Sequence, residues 1–326
     1  MSNPVPQPST DQTATYYQRK FSAFGLQHTV YVLPMDGREN QRHSVFDSIL
    51  RQLMGNRLLL FNDFPPEREG DDSDSFPTVL DCGSGSGVWI DRMLEEYRSE
   101  LDIVGVDICL KQPQDEDDDN EDDDEDENEN DEGVQEYTKK RWNLNASFRD
   151  DQSRDRLRPG TFDLIHSRML AEGLDASRWP SYVRELKYML KHGGWLQMCE
   201  VLPHIQSYSG RLAYESHLNK WWLLYSQAME DMGRNPRIAR ELQHLLQAEG
   251  LEHVRLQTFD VPVGEWWPGR ESLGKENLQN AEQMLVSLSL WAFLYRLQMD
   301  SDTYRNLLQG AAEELRDPSL KLYFKM

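Results

Sequence analysis

Hydrophobic positions between residues 78 and 201 follow two different spacings along the chain. Short uninterrupted apolar runs predict buried strands, whereas apolar residues three and four positions apart predict helices. The runs predict strands at 78–82, 101–107, 145–149, 162–166 and 195–201, and the helical spacing predicts helices at 88–97 and 180–190. Strands that alternate with helices in this way indicate a parallel, doubly wound α/β sheet.

The flanking segments have a mainly helical pattern. Between residues 16 and 61, one apolar stripe at helical spacing is formed by Val45, Phe46, Ile49, Leu50 and Leu53. Beyond residue 202 the pattern predicts helices at 211–232, 236–249, 271–297 and 302–315, and β-like pieces at 254–261 and 320–324. These two pieces are candidates for late strands of the same sheet.

The patterns divide the chain into four parts. Residues 1–15 are polar and predict a disordered tail, and 16–77 predict an N-terminal helical lid that ends in a linker rich in helix breakers. Residues 78–204 form the predicted α/β core. Residues 205–326 form the predicted helical cap, together with the final strands of the sheet.

Charge is concentrated in one segment. The chain has 35 basic and 57 acidic side chains, a net charge of −22, and residues 115–132 hold 15 of the acidic groups in 18 positions. The other 308 residues have a net charge of −7, an ordinary value for a globular protein. A run of like charges cannot bury apolar area, so 115–132 predicts a solvated, disordered insertion between the second and third strands. A surface that recruits a basic partner is the alternative.

Several classes of protein are disfavoured by composition. The chain has no concentrated Lys/Arg patch of the kind that nucleic-acid binders carry. The longest apolar runs, such as 290–295, are far shorter than the ~20 residues that span a bilayer. The first 15 residues lack the apolar segment of a secretion signal. Cys82, Cys109 and Cys199 form neither a disulfide framework nor a zinc spacing, so we expect no metal site and a cytoplasmic protein, with the nucleus as the alternative.

A glycine-rich turn carries the main chemical signal. Residues 81–87 read Asp-Cys-Gly-Ser-Gly-Ser-Gly and lie between a predicted strand and a predicted helix. Glycines allow a ligand to approach the backbone closely, and the start of the helix offers free N–H groups. Asp107 ends the next strand 20 residues after Gly87, the distance at which a carboxylate meets ribose hydroxyls in dinucleotide-type folds. A tight turn without a ligand is the alternative interpretation.

The residues around the turn discriminate among nucleotide ligands. The NAD fingerprint needs a third glycine where this chain has Val88, and the Lys of a phosphate-binding P-loop is missing. Asp81 precedes the first glycine and would repel a pyrophosphate. S-adenosylmethionine (SAM) has an ammonium, a sulfonium and a ribose but no phosphate, so Asp81 suits its ammonium and Asp107 its ribose diol.

Together these motifs resemble those of the class I SAM-dependent methyltransferases, and more narrowly the LaeA-like fungal methyltransferases of secondary metabolism. The resemblance extends over nearly the whole chain, and its motifs lie at 33–42, 80–87, 162–168, 191–195, 233–234, 248–251 and 262–266. Two departures are His192 in place of a proline and the acidic insertion in a connection that is usually short. The resemblance implies a Rossmann-like sheet of seven strands, with the lid and cap closing over it.

The resemblance also implies which residues hold the cofactor. The methionine part would be held by Asp81, Gly83, Ser84 and Gly85 within the turn that ends at Gly87. Asp107 with Ile108 would hold ribose and adenine, and Asp150 or Asp151 the adenine amino group. His166 and Ser167 would line the cofactor near the transferred methyl group.

Catalytic groups are harder to identify. Methyl transfer can proceed chiefly by alignment of the reactants, and the sequence has no obvious catalytic dyad. Tyr31 in the lid and His204 beyond the fifth strand are weak candidates, since lone residues of these types more often pack or hydrogen-bond. The pairs 221–222 and 266–267 are all tryptophan and would either line an aromatic acceptor pocket or pack in the core.

Three functions remain open from the sequence. The first is a methyltransferase that acts on a small molecule, aromatic acceptors included, in a fungal biosynthetic pathway. The second is a LaeA-type nuclear regulator that acts through protein partners, for which the basic cluster 139–141 is a weak import signal. The third is a SAM-binding module without turnover, which the complete glycine turn argues against. Neither nucleic acid nor a membrane is an expected partner.

Overall fold

The fold is described from a computed structural model, for residues 5–65, 76–97, 100–110, 137–150 and 157–326. The acidic insertion 115–132 and Asp151 lie outside the described residues. The strands are β1 (Thr13–Tyr16), β2 (Arg19–Ser22), β3 (Thr78–Cys82), β4 (Asp102–Asp107), β5 (Thr138–Arg141), β6 (Phe162–Arg168), β7 (Leu190–Cys199), β8 (Leu202–Ser207), β9 (Asp260–Pro262) and β10 (Leu322–Lys325). The helices are α1 (Ala23–Gln27), α2 (Gly37–Leu53), α3 (Val88–Glu96), α4 (Trp179–Met189), α5 (His217–Asp231), α6 (Leu242–Ala248), α7 (Glu271–Trp291) and α8 (Ser301–Leu315).

A parallel sheet of five strands forms the centre, in the order β5-β4-β3-β6-β7. Successive residues of a strand point to opposite faces, so neighbouring apolar residues bury on both sides. Val79 packs with Ile90 and Met93 of α3 on one face. Leu80 packs with Leu186 of α4 on the other. The parallel α/β sheet covered by helices on both faces is thereby confirmed.

The third strand lies earlier than the sequence pattern predicts. It spans Thr138–Arg141, whereas 145–149 is a loop that ends in a 3₁₀ turn at Phe148–Asp150. β5 is an edge strand with half-exposed and exposed side chains, so it has no apolar run. Ala146 and Phe148 are apolar because they pack into the core beneath the loop, which produced the misplaced prediction.

The N-terminal region contains a hairpin as well as helices. α2 has the predicted stripe, with Phe46, Ile49 and Leu50 buried. β1 and β2 pair antiparallel at residues 13–22, a region predicted as tail and helix. The predicted disordered tail also makes defined contacts, because Asp11 accepts a hydrogen bond of 2.9 Å from the Leu110 backbone and pairs with Arg141.

The C-terminal region forms a third hydrophobic core, in addition to the two on the faces of the parallel sheet. α5, α7 and α8 bury apolar residues against α2, with Trp221, Trp222 and Phe293 inside. β8, β10 and β9 form a separate antiparallel sheet in that order. Within the described residues the late strands therefore do not extend the parallel sheet, and the expectation of one seven-stranded sheet is wrong. The strand β8 was not predicted. Separately, no described helix is long and apolar enough to cross a membrane.

Candidate cofactor and acceptor site

A deep cleft opens at the carboxyl ends of β3, β4, β6 and β7, where doubly wound sheets bind ligands. The empty space within it, including solvent at its mouth, is about 1490 Å³. One part is lined by the glycine turn at 83–86 together with Asp107 and Ile108. The other part is lined by residues 30–35, by α2, and by Met284 and Leu288 of α7.

The glycine turn has the backbone conformation that its sequence predicts. Gly83, Gly85 and Gly87 have φ values of +75°, +55° and +92°, the left-handed region that favours glycine. The backbone N–H groups of Gly83 and Ser84 donate to the Val106 carbonyl at 2.8 and 3.1 Å, which ties the turn to β4. A Cβ at position 83 would lie 2.5 Å from Leu170 Cδ2, so the Leu170 side chain covers the turn closely.

Asp107 is fixed against this turn. One of its carboxylate oxygens accepts a hydrogen bond of 2.9 Å from the Gly85 N–H, and the other accepts one of 3.1 Å from the Cys109 N–H. Burial raises its pKa above the ordinary value, although both hydrogen bonds favour the ionised form. The structure therefore brings together the glycine turn and the distal carboxylate that the sequence singles out.

Asp81 and His166 form a buried pair beneath the turn. His166 Nδ1 lies 2.8 Å from Asp81 Oδ1, and the imidazole stacks on the Trp89 ring with centroids 3.8 Å apart. Burial lowers the pKa of His166, so the neutral ring donates to the carboxylate. Ser167 is fully buried and accepts a hydrogen bond from Tyr182 at 3.1 Å. None of Asp81, His166 and Ser167 is among the residues that line the cleft. That part of the wall is formed by Arg168, Met169 and Leu170.

Asn143 is a site residue that sequence reasoning missed. It follows β5 and lines the cleft with Trp142 and Leu144, at the position where Asp150 and Asp151 were predicted. Its backbone N–H donates to Gln7 Oε1 at 2.9 Å, and its side-chain amide donates to the Pro6 carbonyl at 3.0 Å. Asp150 is exposed and lies outside the cleft lining. The signal for Asn143 was hidden by the misplaced third strand.

The loop after β5 is anchored from below by α4. Arg178 donates to the carbonyls of Leu144 and Ala146 at 3.1 and 2.9 Å and pairs with Glu185 at 2.6 Å. Glu185 in turn accepts the Phe148 N–H at 3.0 Å. This buried network fixes the backbone on which Asn143 depends.

The predicted catalytic candidates have different positions. Tyr31 lines the cleft, and its pKa is raised well above the ordinary value by burial, then by the carboxylates of Glu39 and Asp107. His204 is not among the residues that line the cleft; it stacks on Trp222 with ring centroids 4.9 Å apart. Trp221 and Trp222 are buried in the third core, and the 266–267 pair packs beside Tyr208, away from the cleft lining.

Besides Asp107, three carboxyl groups line the cleft that were not predicted to do so, those of Glu39, Glu172 and Glu200. Glu200, which follows β7, accepts hydrogen bonds from the N–H groups of Leu170 and Ala171 at 2.8 and 3.2 Å. Burial and the neighbouring Glu172 raise its pKa to about 8. Glu172 accepts a hydrogen bond of 2.9 Å from the Tyr225 hydroxyl, and burial raises its pKa too.

These residues fit a cofactor that carries an amino acid and a nucleoside. The turn leaves its backbone open at Gly85, where a Cβ would meet nothing within 4 Å. Asp107 offers oxygen acceptors for ribose, and Ile108 and Trp142 offer apolar surface for adenine. Among the described residues, no group of three or more His, Cys, Asp or Glu side chains is arranged to hold a metal ion.

Comparisons with known proteins agree with this chemistry. "Methyltransferase pytC" of Aspergillus terreus is 25% identical over 238 residues, which cover 72% of this chain and 62% of that protein, so the match spans less than two thirds of that relative. "Secondary metabolism regulator LAE1" of Cochliobolus heterostrophus is 23% identical over 329 residues, covering 99% of this chain and 95% of that protein. A solved phosphoethanolamine N-methyltransferase 2 of Haemonchus contortus, in complex with SAM, superposes with a TM-score of 0.40 and 13% identity, covering 88% of this chain and 50% of that chain.

A family model described as a methyltransferase domain matches residues 42–256, about two thirds of the chain. This range includes the glycine turn, Asp107, Asn143, Glu172 and Glu200. The chain belongs to the methyltransferase-domain family, whose cofactor is SAM. The predicted resemblance to the LaeA-like proteins is confirmed by its similarity to LAE1.

Proposed function

We propose that this protein is an enzyme that transfers a methyl group from SAM to a small-molecule acceptor in fungal secondary metabolism. The supporting observation is the continuity of one cleft. Its cofactor part is formed by residues 83–86 with Asp107, and its acceptor part by apolar side chains such as Leu33, Phe46 and Met284. A cofactor and a small acceptor can therefore meet in a single cleft.

Each part of the cleft has a role in this mechanism. When bound, SAM supplies a methyl group carried on a positively charged sulfur. Residues 83–85 would hold its amino acid part, with the Asp81 charge at the base of the turn, and Asp107 would hold the ribose. Side chains of α2 and α7 line the acceptor part, and the apolar ones among them would exclude water from the reacting groups. Orientation of this kind can lower a barrier by roughly 7–11 kcal/mol.

Calorimetric titration with SAM tests the cofactor assignment. We expect saturable binding by the wild type and a loss of affinity of at least about tenfold for Asp107→Ala, because hydrogen bonds to a charged group contribute about 1.5–3 kcal/mol. Glu95→Ala, which removes an exposed carboxylate of α3, is the matched control and should bind like the wild type. No saturable binding by the wild type would contradict the proposal.

A LaeA-type regulator is the second candidate function. It is favoured by the match to LAE1, which covers nearly all of both chains, whereas the pytC match covers 62% of that relative. Transfer of a radiolabelled methyl group from SAM, screened against a small-molecule extract and a protein extract, separates the two. Label in small molecules supports the pathway enzyme, and label in proteins supports the regulator.

Localisation provides an independent comparison. We propose a cytoplasmic location for a pathway enzyme, with the nucleus expected for a regulator. A fluorescent fusion observed in living hyphae distinguishes these, and accumulation in nuclei would count against the pathway enzyme.

A further inference from the structure

Glu172 and Glu200 lie close to Leu170, the residue that covers the cofactor turn. Both line the cleft, and Glu200 holds the backbone N–H of Leu170 at 2.8 Å. The Leu170 side chain in turn covers Gly83 of the cofactor turn. Leu170 thus links Glu200 to the cofactor turn, and Glu172 lies two residues after Leu170 in the chain.

Tyr31 lies beside the segment that carries Glu172. A Cβ at Gly173 would be 3.8 Å from Tyr31 Cδ2. Tyr31, Glu172 and Asp107 all line the one cleft. Glu172 is therefore close in sequence both to Leu170, which covers the cofactor turn, and to the residue that contacts Tyr31 of the acceptor part.

The two carboxyl groups have different surroundings. Glu200 is nearly fully buried, and its pKa of about 8 means that it carries a proton at neutral pH. Glu172 is half-buried, and burial raises its pKa although the Tyr225 hydroxyl and Arg42 favour the ionised form. Both oxygens of Glu200 accept backbone N–H groups, whereas Glu172 is held at Oε1 by the Tyr225 hydroxyl, so of the two groups Glu172 is the better placed to accept a proton.

We propose that Glu172 accepts the proton that the acceptor loses during methyl transfer, while Glu200 and Tyr225 position it. This inference rests on the proposed function and makes the acceptor a hydroxyl or amine that carries a proton. A bond forms from the acceptor oxygen or nitrogen to the methyl carbon. The bond from that carbon to sulfur breaks, its electron pair stays on sulfur, and the acceptor proton moves to the Glu172 carboxylate.

The first test measures protons during SAM binding. SAM brings a positive charge to the cleft, so it should favour ionisation of the pair and release a fraction of a proton near pH 7.5. Calorimetry of SAM binding in buffers with different ionisation enthalpies measures this release. We expect release from the wild type and from the control Glu95→Gln, and none from Glu200→Gln. Proton release that persists in Glu200→Gln, or no proton release from the wild type, would overturn the proposed role of Glu172 and Glu200.

The second test measures methyl transfer to the small-molecule extract. General base catalysis contributes about 10²–10⁴-fold, so Glu172→Gln should lose at least about a hundredfold in transfer rate. Its SAM affinity should stay within about threefold of the wild type. Glu172→Asp, which keeps the base, should recover part of the rate, and a merely structural role would not predict this rescue. Label in ethers or methylamines supports the inference, whereas label only in methyl esters, whose carboxylate acceptor carries no proton, would overturn it.

The outcomes separate this inference from the proposed function. If the wild type transfers label and Glu172→Gln transfers it equally well, Glu172 is not the base and the enzyme assignment stands. Label found only in sulfonium products or on carbon would overturn the acceptor class alone. If the wild type binds SAM but transfers nothing to small molecules, both the proposed function and this inference fail.

Discussion

His166 Nδ1 lies 2.8 Å from Asp81 Oδ1, so the end of β6 holds the carboxylate at the base of the cofactor turn. The imidazole is itself fixed by the Trp89 ring on which it stacks. The sequence resemblance assigned His166 to the cofactor lining. The geometry gives it instead a contact with Asp81, the carboxylate that the sequence assigns to the cofactor ammonium.

Removal of the His166 donor should weaken SAM binding. His166→Ala leaves the buried Asp81 carboxylate without this hydrogen bond, which costs about 1–3 kcal/mol. We expect at least about a tenfold loss of SAM affinity by calorimetry. His166→Asn can present an N–H in a similar place and is the matched control that should retain most of the affinity. Wild-type affinity in His166→Ala would show that Asp81 does not depend on this contact.

The N-terminal segment should support the cofactor site. Asp11 joins Leu110 after β4 to Arg141 of β5, and Gln7 holds Asn143. Asp11→Ala removes one charge-assisted bond and one ion pair, so SAM affinity should fall about threefold to tenfold, within the range of such bonds. Asp63→Ala, at an exposed position, is the control for loss of a carboxylate. Equal affinities by calorimetry would mean that the segment has no effect on the site.

The sequence predicted best where a strand is buried on both faces. β3 matches its prediction residue for residue, and β4 begins one residue later than predicted. In both strands the run of apolar residues coincides with the buried strand itself. β5 was misplaced because Thr138–Arg141 is polar, while the apolar Phe148 fills the core from a loop. Local periodicity cannot distinguish these cases, since both bury apolar area.

The candidate site shows the same division. The glycine turn follows β3, and Asp107 ends the neighbouring strand β4. Their proximity therefore follows from a short motif and one strand pairing, both of which the sequence indicates. Asn143, Glu172 and Glu200 come from three separate connections, and only the fold brings them to one cleft. Their importance depends on burial and on neighbours distant in sequence, such as Tyr225, which a single sequence does not reveal.

Gly274 should tolerate no side chain. A Cβ at this position of α7 would lie 2.0 Å from the Gly264 carbonyl oxygen, and backbone atoms cannot move aside as a flexible side chain can. We expect Gly274→Ala to lower the free energy of unfolding by about 2–3 kcal/mol or more, as overpacking does. At Gly173 the nearest atom would be 3.6 Å away, so Gly173→Ala should cost less than about 1 kcal/mol. Denaturant unfolding of both variants measures the difference, and equal stabilities would contradict the close approach.

Glu200 should make the stability of the protein depend on pH. Its pKa in the folded protein is about 8, above its ordinary value of 4.5, so its stabilising contribution is present below about pH 4.5 and is lost as the pH rises through 8. Glu200→Gln stays neutral at every pH. Relative to the wild type, its free energy of unfolding should therefore rise between about pH 5 and pH 8, by at most ~1.4 kcal/mol per pH unit. Urea unfolding at several pH values measures this, and parallel curves for the two proteins would refute it.

The order of the small antiparallel sheet also affects how the protein can assemble during synthesis. β10 lies between β8 and β9, which do not pair with each other. β8 directly follows β7 of the parallel sheet, yet its partner is more than 110 residues further along the chain. On the ribosome the α/β core can therefore form first, and β8 and β9 can gain their shared partner only once residues 322–325 have emerged. Because Met284 and Leu288 of α7 line the acceptor part, that part of the cleft is completed late in synthesis.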